Sequence, residues 1–94
     1  MYITIAGYKH YFGLLPFSVG KLVTLVREVE NAYDKNAIAV YQENYGKVGY
    51  VAATTETAAY GTEVAEQVLP HIGDGICAAI RFIAGEYVIA ELIF

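Results

Sequence analysis

The sequence predicts a mostly β, small α+β domain: six antiparallel strands curled into a barrel, with one main helix between the fourth and fifth strands. Three observations predict it. Six short stretches are rich in β-branched and aliphatic residues and are bounded by turn-forming residues. Two pairs of these stretches flank tight turns, Asn44-Tyr-Gly and Ala84-Gly-Glu, which marks two hairpins. Only one stretch, inside 54–69, carries a helical period. A small strand-rich chain most economically removes its exposed edges by closing on itself.

The elements follow in order. Tyr2-Ile-Thr-Ile-Ala reads as the first strand, closed by Gly7. Tyr8 to Gly20 is punctuated by Gly13, Pro16 and Gly20 and reads as a loop. Lys21-Leu-Val-Thr-Leu-Val-Arg-Glu is the second strand. A polar connection at 31–36 leads into the third, Ala37-Ile-Ala-Val-Tyr-Gln. Lys47-Val-Gly-Tyr-Val-Ala is the fourth, so 37–52 forms a hairpin. Thr54 or Thr55 can N-cap the helix, with Glu56 favourable at its positive end. Val64, Ala65, Val68 and Leu69 supply its apolar face, Glu63 and Glu66 its wet face, and Pro70 its end. His71 then lies in a solvated loop, and Gly73-Asp-Gly is a turn. Ile76 to Ile83 and Tyr87 to Ile93 are the last two strands. Without a repeat or linker, residues 1–94 read as one domain.

Composition bounds the function. An apolar fraction of 56% excludes a disordered chain. No apolar run reaches the roughly 18 residues of a membrane-spanning helix. No basic n-region or cleavage site precedes Tyr2-Ile-Thr-Ile, so no signal peptide is read. Cys77 is alone, reads as a small core residue, and suits a reducing, cytoplasmic setting. The net charge of −4 argues against tight non-specific binding to a polyanion. That charge is uneven. Residues 1–47 hold five cations against four acids, whereas residues 48–94 hold Arg81 against six acids. A site in the first half is therefore roughly neutral to mildly basic.

The polar connection stands out in so apolar a chain. Asn31-Ala-Tyr-Asp-Lys-Asn sits directly before a core strand. A strand terminus at a barrel rim holds polar groups where a ligand can reach them. Tyr33 offers a ring on which a base can stack. Asp34, when ionised, accepts hydrogen bonds, repels phosphate and suits a sugar hydroxyl. Asn31 and Asn36 can bond the loop backbone or reach a ligand. The same residues also suit a tight turn, with Asp34 and Asn36 as Asx caps, and both readings stand at this point.

Four segments carry a family resemblance. They are Gly7-Tyr-Lys-His-Tyr-Phe, Val19-Gly-Lys-Leu-Val-Thr-Leu-Val-Arg-Glu, Glu30-Asn-Ala-Tyr-Asp-Lys-Asn-Ala-Ile-Ala-Val, and Lys47-Val-Gly-Tyr-Val. In these segments and their spacing, residues 2–52 resemble the HIRAN domain, while the second half fits only loosely. The N-x-Y-D-x-N-A-I-x-V element is the specific part. The resemblance implies an OB-like, modified barrel and single-stranded DNA binding, with capture of a free 3′ end as in eukaryotic members. Members stand at the front of helicase-like DNA repair ATPases or alone in bacteria and phages. It implies a nucleic-acid site of Tyr33 and Asp34 with Lys9, His10, Tyr11 and Tyr50 as basic and aromatic neighbours, and Asn31 and Asn36 in the loop. Where arginine stands in other members this chain has Lys9, a point charge without bidentate geometry. The Gly7–Phe12 segment also reads as an aromatic loop packed on the barrel, with Tyr8 and Phe12 as packing residues. Tyr50 either faces the site or packs.

No nucleophile–base pair is suggested by spacing, and no Gly-rich phosphate loop followed by Lys-Ser/Thr is present, so no ATPase is expected. His10, His71 and one cysteine make no zinc pattern. No cofactor and no metal are expected. The expectation is a non-catalytic module for single-stranded DNA, with a helicase, nuclease or other protein as a second kind of partner, and no membrane. Two other classes compete. A protein-interaction domain draws on the acidity and the nine tyrosines. A metal-assisted phosphoesterase would use Asp34.

Overall fold

A computed structural model describes residues 1–94. Its strands are β1 (Tyr2–Ala6), β2 (Leu22–Arg27), β3 (Ile38–Gln42), β4 (Gly46–Val51), β5 (Ile76–Ala84) and β6 (Tyr87–Ile93). One helix, α1 (Ala65–Ile72), lies between β4 and β5. A single 3-10 turn, Tyr8–His10, interrupts the expected 8–20 loop. The sheet closes in the order β1-β4-β3-β2-β5-β6, with every neighbouring pair antiparallel. The expected six-stranded antiparallel barrel with its helix after the fourth strand is the architecture found.

Alternation builds the core. Ile3 and Ile5 of β1, Val23 and Leu25 of β2, Ile38 and Val40 of β3 and Ile80 of β5 are fully or almost fully buried. Ala65, Val68 and Ile72 of α1 join the same cluster. Gly49 permits a close approach: a Cβ there would stand 2.7 Å from the Ala6 carbonyl oxygen. Val40 faces Gly49 while Tyr41 faces Lys47, so β4 carries one extra residue, Val48, as a bulge.

The helix starts later than its expected cap. Thr54 instead opens a turn that receives the Thr57 and Ala58 amides, and Gly61 has φ +89°. The segment then lies along β1. Thr4 is buried there, its hydroxyl bonded to Thr62 at 2.8 Å and receiving the Ala59 amide at 3.0 Å. Glu63 pairs with Ile3 in an isolated bridge, so it is not on the helix, and Val64 is the N-cap. Pro70 sits inside the helix rather than at its end, on an exposed position where only one ladder bond is lost. His71 is exposed as expected, but on the last helical turn, edge-on to Phe94.

Cys77 is exposed, not core. In β5 the buried run is Ala78 to Ile80, and Cys77 pairs between Thr24 and Ile93 on the outer surface. Tyr8 packs as expected, buried edge-on against Phe17. Phe12 is half exposed and rests on the Tyr45 ring, with centroids 5.1 Å apart.

Candidate functional site

The site is built outward from the end of β2. The Glu28 amide donates to the Ala37 carbonyl at 2.9 Å, so residues 29–36 form a loop closed at its base. Side chains shape that loop. One oxygen of Asn31, Oδ1, accepts the amides of both Tyr33 and Asp34 at 2.9 Å. Asp34 Oδ1 accepts the Asn36 amide at 2.9 Å. These are Asx-type bonds, in which a short polar side chain stands in for a missing backbone partner. Asn31 and Asp34 therefore make the turn, whereas Asn36 takes part through its backbone. Tyr33 does not take part through its ring, which is 99% exposed.

A polar cluster joins this loop to β4. Glu28 Oε1 accepts both the Asn31 side-chain amide and the Tyr50 hydroxyl, each at 2.8 Å. Glu28 Oε2 accepts Lys47 at 2.6 Å. Lys47 Nζ also donates to the Tyr50 hydroxyl at 3.0 Å and lies 5.0 Å from its ring centroid. The Tyr11 ring stands 6.3 Å from the Tyr50 ring. Lys47 and Tyr50 are three apart in sequence and would face opposite sides of a regular strand; the Val48 bulge brings them together.

Charge in the cluster is balanced. Lys47, then Asn31, hold Glu28 below the usual carboxylate range, against the opposing effect of partial burial. Glu28 raises Lys47 above its ordinary value, with Tyr50 adding to it. Lys47 pulls the Tyr50 phenol down, but partial burial with Tyr11 and Glu28 outweighs it, so Tyr50 titrates above its ordinary value. The Tyr50 hydroxyl is engaged on both sides, and its half-buried ring lies between the Lys47 ammonium and the Tyr11 ring.

The structure thus brings together Tyr11, Tyr50, Asn31, Tyr33, Asp34 and Asn36. Lys9 and His10 belong to a different depression of about 540 Å³, lined also by Glu56, Thr57, Glu86 and Tyr87. There Lys9 pairs with Glu86 at 2.9 Å, with both side chains largely exposed. The Glu86 carboxylate raises Lys9, and Lys9 lowers Glu86. The cation expected to meet phosphate therefore already has a protein partner, one that open water screens strongly. Glu28 and Lys47 are the members of the cluster that sequence reasoning did not single out. No group of three or more His, Cys, Asp or Glu side chains gathers anywhere in the chain.

The fold is a closed barrel with an aromatic and polar rim, an architecture that does not by itself fix a function. The chain belongs to the HIRAN domain family, whose model matches residues 1–61. Two solved structures are similar. The crystal structure of a protein from Lactobacillus plantarum has a TM-score of 0.67 at 25% identity, covering 97% of this chain and 87% of that one. The crystal structure of the HIRAN domain of human HLTF has a TM-score of 0.66 at 22% identity, covering 98% of this chain and 73% of that one. At that identity the second likeness speaks to the fold alone. No curated protein sequence matches the chain.

Proposed function

We propose that this chain is a non-catalytic nucleic-acid-binding module that takes single-stranded DNA and holds a free 3′ end at Tyr33 and Asp34. Family membership supports the nucleic-acid reading. The observation that carries the site is the contrast within one loop: the Tyr33 backbone is pinned by Asn31 while its ring is 99% exposed. An unpacked ring on a held backbone is accessible to a base, and binding has its side-chain rotamer left to order. Asp34 supplies the selectivity. One of its oxygens holds the Asn36 amide. The other takes no hydrogen bond from the chain and is open to a donor such as a terminal hydroxyl. A continuing phosphate brings like charge to that carboxylate and is disfavoured.

The neutral Glu28–Lys47 pair and the Lys9–Glu86 pair support a weak, end-directed interaction over a long electrostatic one. Fluorescence titration with a short single strand and a blunt duplex of the same sequence tests the reading. Saturable binding that favours the single strand is expected. No binding to any strand by folded protein would move the chain to the protein-interaction class.

A further inference from the structure

Glu28 makes three hydrogen bonds to side chains from two places in the chain, β4 and the loop. Its Oε1 receives Tyr50 of β4 and Asn31 of the loop, and its Oε2 receives Lys47. The Glu28 and Lys47 side chains are only 25% and 27% exposed, so the pair is held in place better than a surface ion pair. Asn31 passes the restraint on, because the same side chain that donates to Glu28 accepts the amides of Tyr33 and Asp34. One carboxylate oxygen thereby fixes the Tyr33–Asp34 loop relative to the Tyr50 ring.

We infer that Glu28 is the positioning residue of this site, and that Lys47 acts on a bound strand by neutralising Glu28 rather than by touching phosphate. The chemistry requires a neutraliser. A half-buried carboxylate beside a polyanion would repel it, and Asp34 already adds one negative charge nearby. Lys47 cancels that charge. Its ammonium is engaged by the Glu28 carboxylate, the Tyr50 hydroxyl and the Tyr50 ring, so it is directed into the cluster. The binding half of this inference rests on the strand-end reading above; the positioning half does not.

Two measurements separate those halves. The first is amide hydrogen exchange on the free protein. Glu28→Ala removes Oε1 and releases Asn31, so the Tyr33 and Asp34 amides should exchange about tenfold faster over and above the uniform acceleration that the lost ion pair gives barrel amides such as Leu25 and Ile80. Unchanged exchange at Tyr33 and Asp34 would overturn the positioning role, whether or not any strand binds. Equal acceleration at Leu25 and Ile80 would also overturn it, by showing a general loss of stability.

The second is rescue in strand binding. Lys47→Met leaves Glu28 uncompensated and should weaken binding of a short 3′-hydroxyl single strand about tenfold. Adding Glu28→Gln keeps an oxygen for Tyr50 and Asn31, removes the bare charge and should restore most of that loss. A double variant as weak as Lys47→Met, with a salt slope shallower by about one, would assign Lys47 to a phosphate and overturn the neutralising role. If the wild type binds no strand, the strand-end reading and this second role fall together, and the exchange result still decides the first.

Discussion

The Tyr8 hydroxyl donates to the Glu86 carbonyl at 2.6 Å, tying the 3-10 turn after β1 to the β5–β6 turn. The Lys9–Glu86 ion pair crosses the same junction. Tyr8→Phe keeps the ring against Phe17 and removes only the hydroxyl. The expected cost is about 1 kcal/mol of stability, read as a shift in the urea midpoint with an unchanged slope. A midpoint identical to the wild type would show that the bond contributes nothing.

Gly49 should tolerate no side chain. A Cβ would meet the Ala6 carbonyl oxygen at 2.7 Å and Ile5 Cγ2 at 3.0 Å. Backbone of a closed barrel cannot yield as a flexible side chain does. Gly49→Ala should cost roughly 1–3 kcal/mol in the same urea experiment. A neutral result would mean that the β1–β4 seam is looser than described.

Acid should expose the Glu28 contribution. Glu28 is held low in the fold. A depressed carboxylate adds stability that is present above its unfolded pKa, about 4.3, and is lost as pH falls through the folded value. Lys47 is raised, so its contribution is present below its unfolded pKa and is lost only as pH rises through the folded value. Wild type should therefore exceed Glu28→Gln in stability near neutral pH. The gap should close in acid, as the pH falls through the lowered folded value and Glu28 is protonated. A gap of equal size near neutral pH and in acid would place the effect outside this ionisation.

Salt should weaken strand binding only mildly. Lys47 and Lys9 both have carboxylate partners. One to three phosphate contacts correspond to a log-log slope of roughly −1 to −2. A slope steeper than about −4 would require several more phosphate contacts and contradict a weak, end-directed interaction.

The strands were legible because aliphatic runs and Gly-containing turns encode them locally; β6 begins and ends at the expected Tyr87 and Ile93. The helix start was not, because it depends on a tertiary event. Thr4, a strand residue, buries its hydroxyl against Thr62 and the Ala59 amide, which draws 53–63 along β1 and delays the helix to Ala65. Cys77 was misread because Ile-Cys-Ala-Ala-Ile has no polar alternation to mark its outer face. In the site, Asn31 and Asp34 announce a turn through their residue types. Glu28 and Lys47 do not announce a pair. They lie 19 residues apart and meet Tyr50 through a bulge that leaves no signature in Lys47-Val-Gly-Tyr. Charged residues at both strand ends were visible, yet ordinary surface charge looks the same.

The central claim is that Asp34 and Tyr33 receive a strand's 3′ end. Tyr33→Ala should weaken every single-stranded ligand by roughly 1–3 kcal/mol through lost stacking. Asp34→Asn keeps an oxygen for the Asn36 amide and removes the charge, so it should narrow any preference for a free hydroxyl without unfolding the loop. The most direct measurement is a titration of wild-type protein with two single strands that differ only in a 3′-hydroxyl or a 3′-phosphate. The hydroxyl strand should bind about tenfold to a hundredfold more tightly, the worth of one charge-assisted hydrogen bond. Equal affinity for the two strands would contradict end recognition at Asp34.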